Sequence, residues 1–168
     1  AQWLGIEESI ISVIHNGVDF DDLERSAKEK LPESIQSFGL ADSHIIVGGV
    51  FRLEPGKRVD LWIDSFELAL QKNSRLKGLL VGGGRLEETV KSWLEERGLT
   101  RRILLAGSVE DVGTWLKMMD VFLFTSSSEG LPNVLIEAQG FGVPVISTDV
   151  GGVAEIIDSG ETGIVVKR

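Results

Sequence analysis

The sequence predicts an open parallel α/β sheet of about six strands with helices on both faces. Three observations carry this. Short apolar runs recur along the chain and are nearly continuous rather than alternating, the pattern of strands buried on both faces. Amphipathic stretches with helical spacing lie between them. Glycine occurs 20 times, which supplies many tight turns between strand and helix.

Taken in order, residues 10–14 read as a first strand and residues 15–19 as a turn. Residues 20–30 are charged and read as a surface helix, and 31–40 as a loop. Strands are then expected at 45–49, 77–81, 103–106, Val121–Phe124, 143–147 and Gly163–Val166. A helix over 57–70 carries Val59, Ile63, Phe66 and Leu70 at three- and four-residue spacing. A helix over 85–97 carries Leu86, Val90, Trp93 and Leu94, with Gly98 where a C-terminal cap belongs. Residues 109–117 form a short helix with Ser108 as its N-cap. Residues 133–141 are apolar almost all round and predict a deeply buried helix, and a last short helix covers 153–158. Strand and helix alternating at this spacing imply right-handed crossovers. Ligands on such sheets bind at the carboxyl ends of the strands.

Composition removes several functions. A chain of 168 residues with 42% apolar content suits one domain. There is no cysteine, so disulfides and thiolate metal sites are excluded, and two distant histidines argue against a histidine metal cluster. A formal charge of −9 opposes a nucleic-acid partner, which requires a basic face. No apolar run reaches the ~18 residues of a membrane span, and no leader pattern is present, so the expected setting is cytoplasmic. The chain starts at Ala1 and ends just past a strand-like run, which reads as a domain taken from a longer protein.

The most informative segment holds two carboxylates, Glu129 and Glu137, on either side of a Gly-Leu-Pro-Asn corner where a strand gives way to a helix. A helix N-terminus offers free N–H groups and partial positive charge, a seat for phosphate. Carboxylates repel phosphate but accept hydrogen bonds from hydroxyls. Phosphate and hydroxyls together indicate a nucleotide-sugar. Glu137 lies among Val134, Leu135, Ile136 and Ala138, where an unpaired carboxylate is costly. It is either a ribose-diol ligand or an internal cap or salt bridge. Glu129 reads as a sugar-hydroxyl ligand or a surface acid.

Arg52 and Lys57 flank a Pro-Gly turn after the strand at 45–49. They read as a diphosphate grip or as solvated loop charges. The glycines at 82–84 do not complete a dinucleotide fingerprint, because Glu87 occupies its last glycine position. They read as a phosphate loop or a tight turn. Ser108 and Val109 stand where a base would lie. Gly151 and Gly152 open another helix, with Glu155 as ligand-edge residue or first-turn acid.

In this order and spacing the segments resemble the C-terminal, donor-binding domain of family-4 retaining glycosyltransferases of GT-B architecture. Arg52 and Lys57 match an Arg-x4-Lys pair, and Glu129 and Glu137 a Glu-x7-Glu motif. The runs at 142–146 and 151–156 match further blocks, and residues 14–19 match the interdomain linker, with His15 where proline is usual. Arg58 stands where glycine is common. The resemblance implies a Rossmann-like sheet, with residues 1–20 as linker and first strand, 15–168 as the nucleotide-sugar domain, and an acceptor domain absent from this chain. It implies catalytic roles for Arg52, Lys57 and Glu129. It also implies donor contacts at Gly49, Gly83 and Val109, along Gly130, Leu131, Pro132, Asn133 and Val134, and at Glu137. It implies a nucleoside-diphosphate-sugar donor, with no cofactor or metal expected in this domain, and any peripheral membrane contact through the absent domain. A non-catalytic nucleotide-binding module and a sugar-nucleotide epimerase are the alternative readings.

Overall fold

A computed structural model describes residues 5, 7–27 and 32–167. Six strands form one parallel sheet: β1 (Ile45–Val50), β2 (Leu76–Val81), β3 (Ile103–Gly107), β4 (Val121–Phe124), β5 (Val145–Thr148) and β6 (Gly163–Val166). Their order is β3-β2-β1-β4-β5-β6. The chain therefore builds outward from β1 in one direction, returns, and builds outward from β4 in the other. Right-handed crossovers of opposite direction place their helices on opposite faces of the sheet.

The helices are α1 (Phe20–Ser26), α2 (Glu33–Phe38), α3 (Val59–Lys72), α4 (Glu87–Glu96), α5 (Val112–Leu116), α6 (Asn133–Gly140) and α7 (Val153–Ile156). Every residue of β2 is buried, Lys77 included, whose ammonium donates to the Arg101 carbonyl at 2.9 Å. Trp62 and Phe66 on α3 stack with ring centres 5.5 Å apart. Gly49 and Gly78 make room for them: a Cβ at Gly49 would sit 2.7 Å from the Trp62 indole nitrogen, and one at Gly78 would sit 3.0 Å from the same ring. Phe122 and Phe124, also fully buried, belong to β4.

Four expectations need correction. The first strand at 10–14 is absent: a 3-10 turn at Glu8–Ile10 leads into an irregular segment in which Val13 and Ile14 are 78% and 91% exposed. An apolar run makes a strand only where a sheet edge is free to pair with it. Residues 31–40 are not all loop, since α2 lies within them and ends on Gly39 in the left-handed conformation. The helix expected at 20–30 stops at Ser26, and residues 28–31 lie outside those described. Helix α5 is capped by Asp111, whose carboxylate accepts from the Thr114 N–H at 3.0 Å, and not by Ser108.

One face of the β4–β5 half of the sheet is left partly open. An apolar groove of about 420 Å³ runs there, lined by Val47, Leu123, Ile146 and Val166 and flanked by Phe66 and Ala69 of α3. Among the described residues no helix is long and apolar enough to cross a membrane.

Two backbone positions fix the loops at the carboxyl edge. Gly82 has φ +125°, and a Cβ there would meet the Phe51 carbonyl oxygen at 2.1 Å. Gly82→Ala is expected to destabilise the chain by about 1–3 kcal/mol, read as a lower urea midpoint. Arg58 has φ +51°, a left-handed conformation that disfavours side chains. It is retained beside a bidentate contact with Asp60 (2.9 and 3.0 Å), whose carboxyl is held below its ordinary range chiefly by that bond. Arg58→Gly is expected to raise Tm by a few degrees, because an exposed ion pair stabilises less than the strain costs. A fall in Tm would reverse that ranking.

Candidate functional site

The register between β1 and β4 covers only Val47↔Val121 and Gly48↔Phe122. Past it β1 and β4 each run two residues further without pairing to one another, and the chain then leads to helices on opposite faces. This is the topological switch point, where an open α/β sheet offers its crevice. Arg52 and the turn Pro55–Lys57 leave β1 there, and the segment 125–132 leaves β4.

Across this crevice Lys57 Nζ and Glu129 Oε1 lie 2.5 Å apart, their side chains only 22% and 12% exposed. Residues 72 positions apart in sequence thus form one charge-assisted contact. Arg52 sits at the same edge, exposed, in the extended segment just past β1. Among the described residues its guanidinium makes no ion pair or hydrogen bond. Within reach of solvent and without an internal partner, it is a cation free to meet an anion.

Glu137 lies one turn into α6 and is half-buried. The cap or salt bridge considered for it is not found: among the described residues its carboxylate has no hydrogen-bond or ion-pair partner. Burial raises its pKa above the ordinary carboxyl value. No hydrogen bond or ion pair joins Glu137 or Arg52 to the Lys57–Glu129 pair.

The N-terminus of α6 follows Pro132 and has no side-chain cap. Its first N–H groups are therefore available to a ligand. Asn133 is fixed from outside the sheet: the Asn16 amide donates to Asn133 Oδ1 at 2.9 Å and to the Leu131 carbonyl at 3.2 Å. The segment 15–16 is thus tied to the start of α6. His15 also meets Glu155 at 3.1 Å, an exposed contact of little energetic weight. Gly130 accepts from the Gly152 N–H at 2.7 Å through its carbonyl, Leu131 and Val134 are half-buried, and Pro132 is buried.

The glycine pairs serve loop-to-loop approach. A Cβ at Gly151 would sit 2.1 Å from the Glu129 carbonyl oxygen. The glycines at 82–84 run beside 51–53, with the Leu53 N–H donating to the Gly83 carbonyl at 2.9 Å. A Cβ at Gly83 would meet Ser108 Oγ at 2.6 Å, so this loop and the loop after β3 are neighbours. Val109 lines a shallow hollow of about 250 Å³ with Pro32, Glu110 and Trp115.

Sequence reasoning missed Asn16 as a brace and Thr125, Ser126 and Ser127 as partners of the Lys57 turn. The signal for the latter was present: four successive hydroxyl residues directly after an apolar strand.

An edge of this kind suits ligands that carry phosphate beside hydroxyls, and the fold is that of nucleotide-holding parallel-sheet domains. The chain belongs to the Glycosyl transferases group 1 family, whose sequence model matches residues 27–168. It is 41% identical over 169 residues to the Vi polysaccharide biosynthesis protein VipC/TviE of Salmonella typhi, covering 99% of this chain and 29% of that protein. It is 31% identical over 155 residues to the capsular polysaccharide biosynthesis glycosyltransferase CapM of Staphylococcus aureus, covering 91% of this chain and 40% of that one. Among solved structures it resembles Anabaena Alr3699/HepE in complex with UDP, with TM-score 0.80 and 26% identity over 99% of this chain and 46% of that one. The chain spans less than half the length of each of these relatives.

The isolated Glu137 carboxylate yields a stability prediction. With its pKa raised by folding, the native chain binds a proton more tightly than the unfolded chain. Stability therefore falls as pH rises from the unfolded pKa through the raised folded value. Glu137→Gln is expected to raise the urea midpoint at neutral pH and to converge with the unsubstituted chain in acid. Equal midpoints at neutral pH would mean that the carboxylate is not strained there.

Proposed function

We propose that this chain is the donor-binding part of a retaining glycosyltransferase acting in polysaccharide biosynthesis. It binds a nucleoside-diphosphate sugar, and the whole protein transfers that sugar to an acceptor hydroxyl held by a separate domain. The observation that carries this is the Lys57–Glu129 contact across the β1/β4 crevice, with its cation and carboxylate where diphosphate and sugar would meet. The relatives named for capsular and Vi polysaccharide synthesis support the pathway. A bound UDP in the Alr3699/HepE structure makes a uridine donor the first to test. The same relatives favour transfer over epimerisation or a non-catalytic module.

Roles follow from the chemistry at each position. Negative charge develops on the departing diphosphate. Arg52, Lys57 and the uncapped α6 N-terminus are the groups that stabilise it, so the reading needs no metal or cofactor in this domain. Glu129 accepts hydrogen bonds from sugar hydroxyls. Glu137 accepts from the ribose diol, each such bond contributing roughly 1.5–3 kcal/mol. Gly49, Gly83 and Val109 belong to the base side of the crevice, and residues 130–134 to the sugar and diphosphate side.

Two outcomes are expected. A panel of nucleotide-sugars, read by thermal shift, includes one that stabilises this chain by about 2.7 kcal/mol at a hundredfold excess over its Kd; if none does, the donor reading fails. In the whole enzyme, Lys57→Ala lowers kcat by about 10²–10³-fold, and unchanged turnover removes Lys57 from the mechanism.

A further inference from the structure

We infer that Thr125, Ser126 and Ser127 are positioning residues that hold Lys57 for the diphosphate, an inference that rests on the donor-site reading above. The backbone ladder between β1 and β4 stops at Gly48 and Phe122, well short of the crevice. Past that point each strand runs two residues further without pairing to the other, so no β-ladder keeps the separation of the loops that follow. Side-chain and loop contacts take over that task. The Gly56 carbonyl accepts from the Ser127 N–H at 2.7 Å, from Ser127 Oγ at 2.9 Å and from Ser126 Oγ at 3.1 Å. Thr125 Oγ1 lies 3.1 Å from the Lys57 carbonyl and 3.0 Å from the Arg58 carbonyl.

Successive carbonyls at 56, 57 and 58 thus face the end of β4, and the hydroxyls that meet them sit in consecutive positions. Thr125 and Ser126 are 3% and 1% exposed, so these bonds are shielded from competing water. Ser126 is itself fixed, because Thr148 of β5 donates to its carbonyl at 2.7 Å. The grip falls on the turn where Arg58 takes a left-handed φ, a conformation that the surroundings must enforce. With the backbone of Gly56, Lys57 and Arg58 pinned, the Lys57 side chain leaves from a fixed origin and reaches Glu129. The three hydroxyl residues act on the ligand only through Lys57.

The test compares affinities of the chain for uridine diphosphate and for uridine, by chemical-shift titration. Thr125→Val keeps the shape and removes the hydroxyl. It is expected to lose about tenfold in diphosphate affinity, the worth of one charge-assisted bond, while uridine affinity stays unchanged. Thr125→Ser is expected to restore the diphosphate increment. Ser127→Ala, at a less buried position, repeats the loss if Thr125→Val fails to fold. A purely structural role predicts lower Tm with the diphosphate increment intact, and that result overturns the inference. A wild-type chain that gains nothing from the diphosphate overturns the donor-site reading and this inference with it. An increment that survives both Thr125→Val and Ser127→Ala overturns this inference alone.

Discussion

Strand order reverses between β1 and β4, and everything at the carboxyl edge follows from that reversal. A reversal must leave a gap, because crossovers on its two sides depart to opposite faces. The gap is a usable crevice only while the loops on its flanks keep a fixed distance. The Lys57–Glu129 contact, the serine bonds to the Gly56 carbonyl and the packing of 82–84 against 51–53 all span or border it. Remove those, and the sheet remains while the site loses its geometry.

Local strain and desolvation gather at the same edge. Arg58 holds a left-handed φ, and Gly82 and Gly84 take conformations a side chain would resist. Glu137 is half-buried and has no partner among the described residues. These unfavourable features lie outside the core that Trp62, Phe66, Phe122 and Phe124 fill. Glu137 differs from Glu129 in this respect: among the described residues one carboxylate has no partner, while the other meets Lys57.

Much of the sheet was legible because its strands read as short, largely apolar runs, interrupted in β2 by the buried Lys77 and unbroken in β4. The helices α3 and α4 were legible from their three- and four-residue spacing and from Gly98 at a C-terminus. The first forty residues were not. Their apolar run at 10–14 has the composition of a strand, yet pairing depends on where an edge lies, which composition does not encode. Helix α2 has too few residues to display a period, and its boundaries come from Pro32 and Gly39. At the site, Glu129, Glu137, Arg52 and Lys57 stood out through their motif spacing. The Lys57–Glu129 contact itself joins segments whose proximity only the topology creates. The hydroxyl run at 125–128 was visible but mute, since its partners are carbonyls, which every residue has.

The placement of Glu129 against Lys57 bears on which anions the crevice accepts. Under the donor-site reading, the resident carboxylate is a placeholder anion. A bare phosphate arriving at Lys57 must evict it and offers it nothing in return. A sugar-bearing diphosphate supplies a phosphoryl oxygen to the lysine and hydroxyls to the displaced glutamate in the same event. Under that reading, discrimination between small phosphates and sugar-bearing diphosphates is an exchange of partners prefigured by the Lys57–Glu129 contact.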